Sequence, residues 1–350
     1  MSSGADVSPS VFPSAVFPSA VFPSVCRRVE GWVQQGFYPG VGLLVCRGEQ
    51  LLLERYLGAY TPDTQVFIAS AGKWLAAATI AAVVDQGLLG WDDPVARWLP
   101  DFTGEAGNAR LRQLLSHTSG FADQQPPGRR PDDYQTLAES VAQIALLPLA
   151  YRPGERFLYG GLGFQVAGRM AELATGQRFE ELFQRSLARP LGLQNTRFTP
   201  VDPAPGHNPM LGGGARSTAR DYVRFLAMIA AHGLFDGQRI LSRAAVEEME
   251  RDQVGAARVE PGGLVQRLRG TTHSGVYGLG QCRERIDGEG RAVQLSSPSW
   301  AGTYPWIDRE RDVYGVLLAH VDLNGPPWEN GFNPLYSSAE VADLVAAELV

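Results

Sequence analysis

The apolar positions of this chain change period along its length, and the changes outline its elements. Val25 to Gln35 reads as a helix that ends before the Pro39-Gly40 turn. Two short apolar runs follow, Val41–Cys46 and Leu51–Tyr56, separated by Arg47-Gly48-Glu49-Gln50, which is a hairpin pattern. Trp74 to Leu89 is apolar on nearly every side, which predicts a buried helix. The middle of the chain then takes helical periodicity over Leu111–Ser116, Asp133–Leu146, Leu162–Thr175, Phe179–Leu187 and Thr218–His232. Strand character returns over Gly275–Arg283, Arg291–Leu295, Gly302–Ile307 and Val313–His320, and Ser338–Leu349 closes the chain as a helix. Strands at both ends with helices between them predict an α+β fold. Its antiparallel sheet is built from the two ends of the chain and flanked by helices, with a mostly helical region inserted. The expected division is a low-complexity arm over 1–24, an α/β domain from 25–91 and 236–350, and a helical domain over 92–235.

Composition narrows the function. The net charge is −6 and no run of Lys/Arg exceeds two, which disfavours nucleic acid and anionic membrane surfaces as partners. No stretch approaches the length of a membrane span. Cys26, Cys46 and Cys282 are odd in number and widely spaced, as expected of reduced core thiols rather than a disulfide framework or a metal site. Val11-Phe12-Pro13-Ser14 recurs at 16–19 and 21–24. This repeat lacks the basic start and continuous apolar stretch of an export signal, so a cytoplasmic location is expected.

The chemistry lies in one residue. Of the 31 Lys and Arg residues, a single one is lysine, Lys73, three places after Ser70. Arginine carries positive charge everywhere else, so charge alone is not what position 73 supplies. A guanidinium cannot release its proton in a protein, whereas a buried lysine amine can. On a helix, residues three apart share a face, so Lys73 would stand one turn beyond Ser70 at the start of the buried helix. A serine hydroxyl becomes a useful nucleophile only when a base takes its proton. No G-x-S-x-G elbow occurs, and each of the five histidines has a plainer role; His117, for example, falls at a helix C-terminus. Lys73 is the better-supported base. Gly161-Leu162-Gly163 lacks the third glycine of a dinucleotide fingerprint, since Val166 stands there, and Gly72-Lys73 lacks the frame of a phosphate-binding loop. No cofactor and no metal are expected.

Ser70-x-x-Lys73 resembles the active-site motif of the serine β-lactamase and penicillin-binding-protein superfamily. Four more stretches carry the resemblance: Gly90-Trp91-Asp92-Asp93-Pro94-Val95, Leu111 through Gly120, Pro153-Gly154-Glu155-Arg156-Phe157-Leu158-Tyr159, and Ser217-Thr218-Ala219-Arg220-Asp221. The similarity runs from about Phe22 to His320 and is greatest to the class C β-lactamase and family VIII carboxylesterase branch. It implies a β-lactamase-like fold and an acyl-enzyme on Ser70.

The resemblance also implies roles for residues that their own spacing does not single out. Tyr159 matches the tyrosine of a Tyr-x-Asn motif and would share proton transfer with Lys73, while Gly161 replaces the asparagine. Ser297-Pro298-Ser299 falls where the family carries Lys/His-Thr/Ser/Pro-Gly, so the cation and the glycine that help bind substrate are both replaced. The backbone N–H groups of Ser70 and Trp300 would form the oxyanion hole, with Ser297, Ser299, Trp300 and Gly161 along the substrate path. These replacements favour a carboxylesterase acting on a small-molecule ester. A β-lactamase, peptidase or amidase of the same fold, and a catalytically silent ligand-binding protein, stay open, as does the oligomeric state.

Overall fold

The computed structural model describes residues 22–121, 136–198, 209–270, 273–325 and 331–349. The first two copies of the Val-Phe-Pro-Ser repeat lie outside that range. Six strands form one antiparallel sheet: β1 Gly40–Arg47, β2 Gln50–Gly58, β3 Cys282–Ile286, β4 Ala292–Ser296, β5 Gly302–Asp308 and β6 Val313–His320, in the order β2-β1-β6-β5-β4-β3. The two ends of the chain meet at the centre, where β1 pairs with β6 from Val41 opposite Ala319 to Arg47 opposite Val313. The larger helices are α1 Pro23–Gln34, α2 Gly72–Asp85, α3 Leu111–Leu115, α4 Leu137–Ile144, α5 Leu162–Thr175, α6 Ala219–Ala230, α7 Arg243–Glu250, α8 Leu264–Arg269 and α9 Glu340–Glu348. None of the described helices is long and apolar enough to cross a membrane.

Successive strand side chains point to opposite faces, so a sheet covered on both sides separates two cores. Val41, Leu43 and Val45 of β1 join Val313, Leu317 and Ala319 of β6 in one cluster with Val25, Val29, Trp32, Val341 and Val345 of the terminal helices α1 and α9. Leu44 and Cys46 alternate with them and join Tyr314, Val316 and Leu318 in the larger cluster, which holds α2, α5 and α6. Every residue of α2 from Gly72 to Val83 is buried. Its alanines at 76, 77, 78, 81 and 82 let neighbours pack close on all sides, as its lack of a polar face predicts.

Several expectations need correction. Phe22–Ser24 do not belong to an arm: Phe22 is fully buried in the terminal core and Pro23 starts α1, a position where a missing N–H costs nothing. The strand expected over Gly275–Arg283 instead spans Cys282–Ile286, because the chain turns at Gly278–Gly280, where Gly280 has φ +84°. The helix expected over Phe179–Leu187 is α-helical only to Phe183 and then widens into a π-turn over Gln184–Ala188, ahead of Pro190 with no N–H to donate. Helices α7 and α8 were not expected at all. In the Gly90–Val95 stretch, Asp92 accepts from Arg110 and Arg112, and Asp93 from Arg97 and the Gly90 N–H. All three cysteines are buried free thiols, as expected.

Helix α8 is fastened to the sheet by a buried ionic hub. Arg269 donates to Glu284 at 2.5 Å, and both side chains are largely or wholly shielded from solvent. The Tyr304 hydroxyl donates to the two Glu284 oxygens at 3.0 and 3.1 Å, and the Ser296 hydroxyl adds a further bond. Removing one partner of such a pair leaves the other charge buried and uncompensated. Arg269→Met is therefore expected to lower the unfolding free energy by about 3–5 kcal/mol in urea titration; a loss below about 1 kcal/mol would show that Glu284 does not depend on this partner.

Candidate active site

Ser70 lies in a single 3-10 turn, Ala69–Ala71, directly before α2 rather than inside it. The turn is held in an uncommon conformation. Ala69 has φ +47°, a left-handed backbone that costs a non-glycine residue about 1–2 kcal/mol. Neighbouring groups hold it there. The Ile68 N–H donates to the Ala215 carbonyl at 3.0 Å, and the Tyr222 hydroxyl from α6 donates to the Ala71 carbonyl at 2.7 Å. Gly72 sits so close to the strand at Ala215–Ser217 that an added Cβ would lie 2.9 Å from the Ala215 side chain. The turn lifts the Ser70 side chain, half-buried, into a cavity of about 540 Å³.

Lys73, on the first turn of α2, is 3% exposed. Its amine donates to Ser70 Oγ at 3.2 Å and to the Gly212 carbonyl at 2.5 Å. The Nζ atom also lies 4.7 Å from the centre of the Tyr159 ring and 5.8 Å from that of Phe164. The expected serine, lysine and tyrosine are thus brought together. Gly161, the residue before α5, lines the same cavity, and its Cα occupies the space where a Cβ on Gly212 would fall, 2.7 Å away. The Gly212-Gly213-Gly214 run therefore serves close backbone approach.

Of the third expected segment and the residue after it, Trp300 lines the cavity, while Ser297 and Ser299 are not among its described lining residues. The Ser297 hydroxyl donates to the Ser70 carbonyl at 3.2 Å, so it braces the nucleophile's turn. Ser299 is buried, and its hydroxyl has no hydrogen-bond partner among the described residues. Trp300 is 43% exposed at the cavity rim, with its ring 5.7 Å from His320 and 6.4 Å from Phe67. Pattern reasoning missed three other lining groups. The Gly212 carbonyl is a backbone acceptor with no residue signature. Gln165 accepts from the Leu211 N–H at 2.7 Å and so holds the glycine run in place. Arg267 lies on the unexpected helix α8, with its guanidinium 5.8 Å from the Tyr336 ring and bonded to that hydroxyl at 3.3 Å. The described lining residues include two basic side chains, Lys73 and Arg267, and no carboxylate.

The Beta-lactamase family pattern matches residues 27–331, most of the chain. The chain belongs to that family. Among solved structures, this family member is similar to one described as a "putative beta-lactamase" from Bacteroides dorei DSM 17855, at 46% identity over 93% of this chain and 98% of that one, with a TM-score of 0.88. It shares its fold with EstCE1, described as a hydrolase with promiscuous acyltransferase activity (20% identity, 93% of this chain and 100% of that one, TM-score 0.72). It shares the fold also with a family VIII carboxylesterase (18% identity, 94% and 98%, TM-score 0.69). Among curated proteins it is 27% identical over 204 residues to a "Putative D-alanyl-D-alanine carboxypeptidase" of Escherichia coli K12, a match covering 50% of this chain and 47% of that protein. The chain thus spans about half the length of the curated relatives it matches first. It has the fold the sequence predicted, an antiparallel sheet built from both chain ends and flanked by helices.

The tight Gly161–Gly212 approach generates a prediction. Gly212→Ala adds a methyl group where the Gly161 backbone already stands, so one of the two segments must shift, and the contact between the Gly212 carbonyl and Lys73 is expected to be disturbed. A folded Gly212→Ala variant, checked by circular dichroism, should react with a fluorophosphonate at Ser70 at least about tenfold more slowly than wild type, since small misplacements are costly in such sites. Unchanged labelling would mean that this carbonyl does not set the reactivity of Ser70.

Proposed function

We propose that the protein hydrolyses small carboxylic esters through an acyl-enzyme on Ser70. The observation that carries this reading is the contact between the buried Lys73 amine and Ser70 Oγ, 3.2 Å long and opening into the cavity. As Oγ attacks the ester carbonyl carbon, its proton passes to the Lys73 amine, which must be uncharged to accept it. The backbone N–H groups of Ser70 and Trp300 receive the negative oxygen of the tetrahedral intermediate, an interaction that grows as charge develops. Collapse breaks the bond to the alcohol, which leaves with a proton returned through Lys73 and Tyr159. Water then attacks the acyl-enzyme with the same groups reversing their roles, and releases the acid and free Ser70.

The ester reading is supported by the replacement of the cation and glycine at Ser297-Pro298-Ser299, and by the use of the Ser297 hydroxyl on the Ser70 carbonyl. The esterase neighbours in the fold agree with it. Arg267 favours a second reading. It is a guanidinium at the cavity rim with no carboxylate partner among the described residues, and it would suit the anionic end of a lactam or peptide. Intact-protein mass spectrometry after brief mixing with p-nitrophenyl butyrate distinguishes these. The ester reading predicts one butyryl adduct on a peptide containing Ser70, steady p-nitrophenol release, and neither in Ser70→Ala. Adduct formation with a fluorescent penicillin but not with the ester would favour the second reading. The absence of both would leave a ligand-binding scaffold.

A further inference from the structure

The histidine that ends α3 does more than turn the chain. His117 has φ +61° and is 5% exposed. Its carbonyl accepts the Leu158 N–H at 2.8 Å, and its Nδ1 accepts the Gly160 N–H at 3.2 Å. These two bonds bracket Tyr159 on both sides. The imidazole itself lies 4.5 Å from the Tyr159 ring, walled by Phe157, Phe164 and Tyr277 with ring centres 5.8, 5.5 and 4.7 Å away. Acceptance at Nδ1 assigns the proton of a neutral ring to Nε2. Burial, the largest influence, holds the His117 pKa well below its ordinary value, so the acceptor is retained at neutral pH.

The bracket extends to the lysine by two routes. Tyr159, held at both flanking amides, places its ring 4.7 Å from Lys73 Nζ. Gly160 leads into Gly161, whose Cα packs against Gly212, and the Gly212 carbonyl accepts from Lys73 at 2.5 Å. Two of the contacts of Lys73 therefore trace back to one histidine.

We propose that His117 is the positioning residue of this site: its carbonyl and Nδ1 clamp the backbone around Tyr159 and, through Gly161 and Gly212, fix where the Lys73 amine stands. His117 touches neither Ser70 nor the open cavity, so it acts through other groups and is not itself catalytic. The kinetic arm of the test rests on the hydrolase reading; the spectroscopic arm does not.

Because Lys73 is the only lysine, protein grown on ε-13C-lysine gives a single lysine side-chain signal. That signal is displaced by the ring current of Tyr159 as long as the two stay in contact. His117→Asn keeps an acceptor near the Nδ1 position and tolerates the left-handed backbone, whereas His117→Gly relieves the backbone but removes the acceptor. The Asn variant should hold the Lys73 signal in place and keep kcat within about threefold of wild type. The Gly variant should move that signal toward the position of a solvated lysine and lower kcat at least about tenfold, with a smaller change in KM. An unmoved signal and unchanged kcat in a folded Gly variant would overturn the proposal and leave His117 a turn residue. A moved signal in the Asn variant would also overturn it, because the acceptor would not be the feature that matters; this arm decides even if the Gly variant fails to fold. Should wild type turn over no ester, the signal alone decides the clamp, and only the hydrolase reading falls.

Discussion

A lysine amine withdrawn from water and shared between a serine hydroxyl and a backbone carbonyl is the constraint on which the rest of this structure depends. Burying such a group is unfavourable unless acceptors meet it. Here the two acceptors come from distant parts of the sequence, Ser70 on the turn before α2 and Gly212 on the glycine run. Bringing them together requires backbones in near contact, which explains the glycines at 212 and 280. A Cβ on Gly280 would lie 2.7 Å from the carbonyl of Lys73 itself. It also requires a helix that can be surrounded, and the alanines of α2 provide one. The left-handed Ala69 stores strain at the same place, held by bonds from Tyr222 and Ser297.

Much of this was legible in the sequence, for identifiable reasons. A lone lysine in an arginine-rich chain, three residues after a serine, signals a proton-transfer requirement by its chemistry. Central strands such as Val41–Cys46 and Val313–His320 carry continuous apolar runs because both faces are covered, and their elements were found close to their true bounds. The helix over Leu162–Thr175 was found residue for residue. Tyr159 was legible only through the family resemblance; as a single tyrosine after a turn, it has no periodic or spacing signal of its own.

What escaped was of two kinds. Some was backbone: the Gly212 carbonyl and the His117 carbonyl are groups that every residue type possesses, and only the glycine run hinted at the first. The remainder was masked by charge. Helix α7 has a capping serine, Ser242, which accepts from the Ala245 N–H at 3.0 Å, but Arg243 and Glu247 to Glu250 give it a polar surface that hides its buried side. Helix α8 is short, and its two arginines point to different tasks, Arg269 to the buried Glu284 and Arg267 to the cavity rim. Local pattern cannot separate those roles, because burial of a guanidinium depends on a partner far away in the chain.

Chains described as a putative β-lactamase, a putative carboxypeptidase and a carboxylesterase resemble this one in sequence or in fold, so the framework alone does not select the substrate. What it demands in common is that the serine be activated by a group able to take its proton. The most direct measurement is the rate of the acylation step itself, read as p-nitrophenol release in a single-turnover mixing experiment with excess enzyme, for wild type and for Lys73→Arg. Arginine preserves the positive charge and most of the length but cannot accept the proton. The account predicts that acylation slows by about 10²–10⁴-fold in a folded Lys73→Arg protein. Equal rates in the two proteins would contradict it and remove Lys73 as the base.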